Sequence, residues 1–129
     1  MRFASPLRYP GGKACLTGFL TDVIEMNDLR GGAYYEPYAG GAGAALSLLR
    51  DGVVSEIHIN DADERVNAFW VSALDESERF VDQILSTPLT MAEWYRQRKV
   101  CANPKSHRRF DVDFAAFFMN RCNRSPSAE

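Results

Sequence analysis

Residues 36–43 (EPYAGGAG) form a glycine-rich segment that follows a β-prone run and precedes an apolar helix predicted from about Ala44 to Arg50. Glycines there permit positive φ and let a ligand approach the backbone, and the free amides at the start of the helix can hold a polar group. A second apolar strand, predicted at 57–60, leads into Asp61. Because an acid at the end of the second strand of a β-α-β unit is placed to accept hydrogen bonds from a ribose, the pattern predicts a nucleotide-cofactor site.

The residues around this turn have alternative roles that the sequence leaves open. Glu36, at the end of the first strand, is expected to make a polar cofactor contact, although it could instead cap a neighbouring backbone amide. Asp61 and Asp63 compete for the ribose role, since Asp63 could be the N-cap of the next helix. We predict that Asp61, which is closer to the strand end, binds the ribose. His58, inside the strand, is expected to be a structural histidine.

A second glycine-containing block lies upstream, at residues 6–13 (PLRYPGGK). Lys13 follows two glycines, which favours a cation that faces a ligand over an ordinary surface lysine. Tyr9 could stack on a cofactor or pack in the core, and the sequence favours neither. This block therefore adds a cation and an aromatic ring to the predicted site.

The sequence thus contains three blocks: residues 6–13, the glycine-rich segment 36–43, and the strand that leads into Asp61. In this order and spacing they resemble the amino-terminal part of the Dam-type adenine-specific DNA methyltransferases, and the resemblance runs from about Ser5 to Arg124. It implies that the proline-and-glycine block contributes to a pocket for S-adenosylmethionine. It also implies that the glycine turn wraps the methionine and ribose part of this cofactor and that Asp61 binds the ribose hydroxyls. The cofactor-binding residues expected on this basis are Tyr9, Gly12, Lys13, Glu36, Pro37, Tyr38, Gly40, Gly43 and Asp61.

The last third of the chain carries the features expected to contact DNA. Residues 117–121 (FFMNR) resemble the aromatic helix ending in Asn-Arg that leads into the family's target-recognition region. Basic residues are also concentrated here, and they could contact phosphates or form a solvated helix face. Asn120 and Arg121 could equally serve a helix C-terminus. The DNA-binding candidates are Arg108, Arg109, Asn120, Arg121 and Arg124.

One family motif does not occur in the sequence. In the family, catalysis depends on a strand ending in Asp-Pro-Pro-Tyr, and neither this motif nor Asn-Pro-Pro-Tyr is present in the 129 residues. Methylation of adenine requires the base to be flipped and held, which the motif does in the family. No catalytic residue is therefore predicted, and we expect the chain to be inactive by itself. The alternative is a non-catalytic module that binds the cofactor or a partner.

The expected fold class is α/β, a partial Rossmann-like methyltransferase fold with a helical region after the second strand. Residues 1–62 would form the cofactor-binding β-α-β part, 63–124 a helical region leading to target recognition, and 125–129 a tail. The family sheet has more strands than the two predicted here. Exposed strand edges invite association, so a homodimer or a second chain that completes the sheet is expected.

Hydrophobic periodicity and capping signals place the helices. A helix at 14–29 carries a stripe predicted to be buried, and a helix at 63–73 turns Val66, Phe69 and Trp70 inward. Asp75 is expected to cap the next helix, with Glu78 completing a capping box. Thr90 and Glu93 form a second capping box, which begins a helix predicted to reach about Cys101. Pro104 prevents this helix from continuing. The last predicted helix covers 114–121. The stripe of the first helix consists of Leu16, Phe19, Leu20, Val23 and Ile24.

Composition narrows the class of protein. The formal net charge is -2, so no overall basic field marks a nucleic-acid binder. The three cysteines have no metal-binding or disulfide spacing and are expected to be reduced thiols. No segment has the length of a membrane span and no signal peptide is apparent, so a cytoplasmic protein without a membrane partner is expected.

Overall fold

The computed structural model describes residues 4–123, and within them the chain is mixed α/β but mostly helical, with six α-helices and a two-stranded parallel sheet. It divides into two units between Ala62 and Asp63. The elements are a 3-10 helix Lys13–Leu16, α1 (Thr17–Met26), β1 (Ala33–Glu36), α2 (Gly43–Arg50), β2 (Glu56–Ile59), α3 (Glu64–Asp75), α4 (Ser77–Ser86), α5 (Met91–Ala102), a 3-10 helix Pro104–Ser106 and α6 (Arg109–Cys122).

The first unit is built on the parallel pair of β1 and β2, joined through α2. The register runs from Ala33 opposite Glu56 to Glu36 opposite Ile59. Leu48 of α2 is fully buried and forms the core with Val53 and Val54, as Tyr34 and Ile57 pack on it from the two strands. Both strands therefore end at the same edge of the sheet, beside the glycine turn that begins α2.

The buried stripe predicted on the first helix is only partly correct. Leu20 and Ile24 pack against the core of the unit. Leu16, Phe19 and Val23 are exposed, with Phe19 at 65%. A helix is present, but it runs over Thr17–Met26 and not over the predicted 14–29, and periodicity cannot show how wide a face a neighbouring element covers. Here the core contacts one edge of α1 and leaves the other to solvent.

The second unit has an aromatic core, and α3 carries Phe69 and Trp70 into it as predicted. Phe80 of α4 lies at its centre, with four phenylalanine ring centroids 5.4–5.8 Å away. A buried polar contact lies in the same unit, where the Ser72 hydroxyl of α3 donates to the Asp113 carboxylate of α6. Packing of aromatic rings at this spacing holds α3, α4 and α6 together.

Among the later helices, the predicted start of α5 was correct and those of α4 and α6 were wrong. The Thr90 hydroxyl accepts a hydrogen bond from the Glu93 amide at 3.2 Å, so the predicted cap of α5 is confirmed. Asp75 does not cap α4, because α3 continues through it and Glu76 precedes α4 without a side-chain cap bond. The last helix begins at Arg109, not at 114. Phe110 extends its buried face, since it lies one turn before Phe114.

In the part of the chain that the structure describes, no helix combines the length and the apolar character needed to cross a membrane.

Candidate functional site

Glu36 is the last residue of β1, and its carboxylate lies at the start of α2. Its side chain is 3% exposed. Oε2 accepts a hydrogen bond from the Ala45 amide at 3.1 Å, and Ala45 belongs to the first turn of α2. This contact satisfies one of the amides that a helix start leaves open, and it places a negative charge at the positive end of the helix. The amide-capping role that the sequence left open for Glu36 is therefore present in the structure.

The other oxygen of Glu36 faces the cation of the upstream block. Lys13 Nζ lies 3.1 Å from Oε1 and also donates to the backbone carbonyl of Tyr38. Within residues 4–123, Oε1 is buried and makes no contact with the geometry of a hydrogen bond. The Tyr34 hydroxyl also hydrogen-bonds to the Glu36 carboxylate, whose two oxygens together have more acceptor sites than these contacts fill.

Tyr34 lies two residues before Glu36 on the same face of β1. Burial raises the pKa of the Tyr34 hydroxyl above its ordinary value, and the negative charge of Glu36 raises it further. The phenol therefore stays neutral at physiological pH. It contributes a polar but uncharged group to the inner face of the sheet, next to the Glu36 carboxylate.

Asp61, after β2, holds the glycine turn in place. Its Oδ2 accepts a hydrogen bond from the Gly40 amide at 2.7 Å. Backbone bonds continue the link, since the Ala39 amide donates to the Asn60 carbonyl at 2.8 Å and the Asn60 amide donates to the Glu36 carbonyl at 3.0 Å. The ends of both strands and the glycine turn are therefore joined by hydrogen bonds. Asp61, which was predicted to bind the ribose, also has a structural contact with the Gly40 amide.

The turn itself is buried from Ala39 to Ala45. Gly40 has φ +52°, a conformation that favours glycine. A Cβ at Gly40 would lie 2.6–2.9 Å from ring carbons of Tyr9, so the close approach that this glycine permits is made by Tyr9 of the upstream block. Ala42, with φ +50°, precedes α2 in the same left-handed region.

The structure brings most of the predicted cofactor residues together in the first unit. Lys13 contacts Glu36 and Tyr38, Tyr9 contacts Gly40, and Asp61 contacts Gly40 from the other side. Gly43 begins α2, where a Cβ would lie 3.0 Å from the Cβ of Ala14. Gly12, Pro37 and Tyr38 are exposed, and Tyr38 reaches 74%.

Asp63 has the capping role that the sequence offered as its alternative. It precedes α3 and accepts a hydrogen bond from the Arg65 amide at 2.9 Å. The Arg65 guanidinium, 3.1 Å from the carboxylate, lowers the pKa of Asp63 below its ordinary value. Asp63 thus belongs to the start of the second unit, whereas Asp61 belongs to the turn of the first.

The four predicted DNA-binding residues that the structure describes do not form one cluster. Arg108 and Arg109 lie at the start of α6, and Asn120 and Arg121 lie in its last turn. A helix rises about 1.5 Å per residue, so the two groups are roughly 18 Å apart. Arg124 lies outside the described residues.

The first of these groups is also close to acidic side chains. Arg109 lies 3.7 Å from Glu76 and 3.9 Å from Asp113, so part of its charge is balanced within the second unit. Arg96 of α5 likewise forms a 2.7 Å ion pair with Glu93. Nearby carboxylates weaken the attraction of a cation for phosphate.

Two features of the site were missed from the sequence. They are the bond from the Gly40 amide to Asp61 and the ion pair of Lys13 with Glu36. They join residues 21 and 23 positions apart, and no local pattern specifies such pairs. The alternation of β1 could have placed Tyr34 and Glu36 on one face.

No protein-family model matches the sequence, and a search of curated proteins finds no match to it.

Proposed function

We propose that the first unit binds S-adenosylmethionine and its demethylated product, and that the chain is a relative of the Dam-type adenine-specific DNA methyltransferases with a partial Rossmann-like fold. One observation carries the proposal. The carboxylates of Glu36 and Asp61 follow neighbouring parallel strands at one edge of the sheet, and the glycine turn connects them. Nucleotide cofactors bind at the carboxyl ends of strands in folds of this type.

The residues present fit such a cofactor. The Glu36 carboxylate can accept a further hydrogen bond, and Lys13 supplies a partly exposed cation beside it. Asp61 is partly buried at the end of β2, and Tyr38 offers an exposed ring at the same edge. We infer that Asp61 would bind the ribose and that Glu36 and Lys13 would contact the charged methionine end. When bound, the cofactor supplies a methyl group activated by its sulfonium.

Methyl transfer needs a second set of contacts, to the adenine. The base must leave the duplex and be held with its amino nitrogen aimed at the methyl group. The sequence shows no Asp-Pro-Pro-Tyr for this purpose, and Phe114 and Phe118 of the aromatic helix are buried in the core of the second unit. We therefore propose that residues 1–129 by themselves bind cofactor without transferring methyl groups, and that the adenine contacts come from outside these residues.

Calorimetry with the demethylated product, S-adenosylhomocysteine, tests the proposal directly. Saturable binding with one site per chain is the expected result. Arg50→Met serves as a matched control, because it removes an exposed ion pair with Asp51 in the same unit and should leave affinity unchanged. A flat titration at millimolar ligand with folded protein would remove the cofactor from the proposal.

Two further measurements test the DNA part of the proposal, and the first of them separates it from its alternative, a non-catalytic module that binds the cofactor or a partner. Gel-shift assays should show weak DNA binding that falls steeply with salt, and Arg108→Glu should reduce the salt slope by about one. Labelled cofactor with unmethylated DNA should give no transfer by the chain alone. Cofactor binding without any DNA complex at low salt would favour the non-catalytic module.

A further inference from the structure

The upstream block lies on the glycine turn as a separate segment. Residues 5–12, before the 3-10 helix at Lys13, contain no helix or strand. The upstream block and the glycine turn are in close contact at Gly41, where a Cβ would lie 2.5 Å from Ser5 Oγ and 3.2 Å from the Leu7 carbonyl oxygen. Tyr9 packs on Gly40 in the same way. We call residues 5–13 the strap.

The strap is tied to the turn by charge at its last residue. Lys13 Nζ lies 3.1 Å from the Glu36 carboxylate and donates to the Tyr38 carbonyl. Glu36 is buried and Lys13 is 34% exposed, so the pair closes the site from the solvent side. Because the closed carboxylate is shielded from water, its attraction for the cation is screened less than that of an exposed pair.

We propose that the strap opens and closes over the glycine turn while the rest of the first unit stays folded, and that the Lys13–Glu36 ion pair is its latch. Residues 5–12 have no regular structure and are held by side-chain contacts and the ion pair of Lys13, and such a segment opens at lower free energy than a packed core. The core of Leu48, Val53 and Val54 does not include the strap and remains intact when it lifts.

The latch controls access to the turn. Glu36 and residues 39–45 are buried when the strap is closed. A ligand that contacts the turn backbone or Glu36 Oε1 therefore reaches them through the open form. The opening itself does not depend on the identity of that ligand, so it can be measured on the free protein.

Limited trypsin digestion measures this opening at the Arg8–Tyr9 bond, followed by mass spectrometry. Cleavage after Arg30, which is outside the strap, reports on the rest of the unit in the same sample. Lys13→Met removes the latch, and Lys13→Met with Glu36→Gln removes it without leaving a buried charge. Loss of the latch should speed cleavage at Arg8 about five- to thirty-fold relative to Arg30, because cleavage follows the open population.

The double variant decides the outcome, since the single variant also destabilises the turn. Faster cleavage at Arg8 with an unchanged rate at Arg30 supports the latch. Equal acceleration at both bonds would show general destabilisation and overturn it, and so would unchanged cleavage at Arg8. Asp51→Asn is the matched control, because it removes an exposed ion pair in the same unit and should change neither rate.

Discussion

Asp61 has two roles in our account, and paired substitutions separate them. Its Oδ2 accepts the hydrogen bond of the Gly40 amide at 2.7 Å, and we propose that the same carboxylate binds the ribose. Asp61→Ala removes both functions. Asp61→Asn keeps a side-chain oxygen for Gly40 but removes the negative charge, so its effect on the turn should be small.

The stability effect follows from the burial of the turn. Gly40 is buried, and taking away the Asp61 acceptor from its amide costs about 1–3 kcal/mol. Asp61→Ala should therefore lower the free energy of unfolding of the first unit by that amount, measured by urea denaturation with circular dichroism. Asp61→Asn should lie within about 1 kcal/mol of the wild type, since a neutral hydrogen bond remains.

The binding effect should appear in both variants. Loss of a charged acceptor from ligand hydroxyls costs about 1–3 kcal/mol, which corresponds to a roughly five- to 150-fold weaker Kd for S-adenosylhomocysteine. Asp63→Asn is the matched control, because Asp63 caps α3 and the amide can still accept from Arg65. Calorimetry that gives the same Kd for Asp61→Asn and wild type would refute the ribose role and leave Asp61 as a structural residue of the turn.

Three further predictions concern the second unit and the thiols. The Arg96 hydrogen bonds lower the pKa of Glu93 below its ordinary 4.5. Glu93 therefore contributes stability above pH 4.5 that is lost as the pH falls through the lower pKa of the folded state. Glu93→Gln should flatten this acid dependence of the urea midpoint, and an unchanged slope would contradict the prediction. Phe80→Ala should lower the unfolding free energy of the second unit by about 3–5 kcal/mol. Tryptophan fluorescence follows this unfolding, since both tryptophans lie in the second unit. A loss below about 1 kcal/mol would show that the aromatic core rearranges around the cavity. Burial raises the pKa of Cys101, so iodoacetamide at neutral pH should label exposed Cys15 faster, and equal rates by mass spectrometry would contradict the burial.

The order of strands and helices could be predicted because it depends on local patterns. The β-prone run and the glycines that follow it located β1, the turn and α2 to within a residue or two. The Thr90 cap was confirmed because capping involves residues three apart. The start of α6 was placed too late. Phe110, Phe114 and Phe118 follow one face at four-residue spacing, but a helix boundary depends on which neighbours bury that face.

The sequence by itself determined which residues could form a cofactor site: a glycine turn between two strands, an acid at the end of each, and a lysine after two glycines. Only the tertiary structure decided how they meet, pairing Lys13 with Glu36 and Asp61 with Gly40, and leaving Phe19 of α1 exposed. The physical reason is range. Periodicity and steric preference act over a few residues, whereas ion pairs and burial join positions more than 20 residues apart, and these depend on how the elements pack.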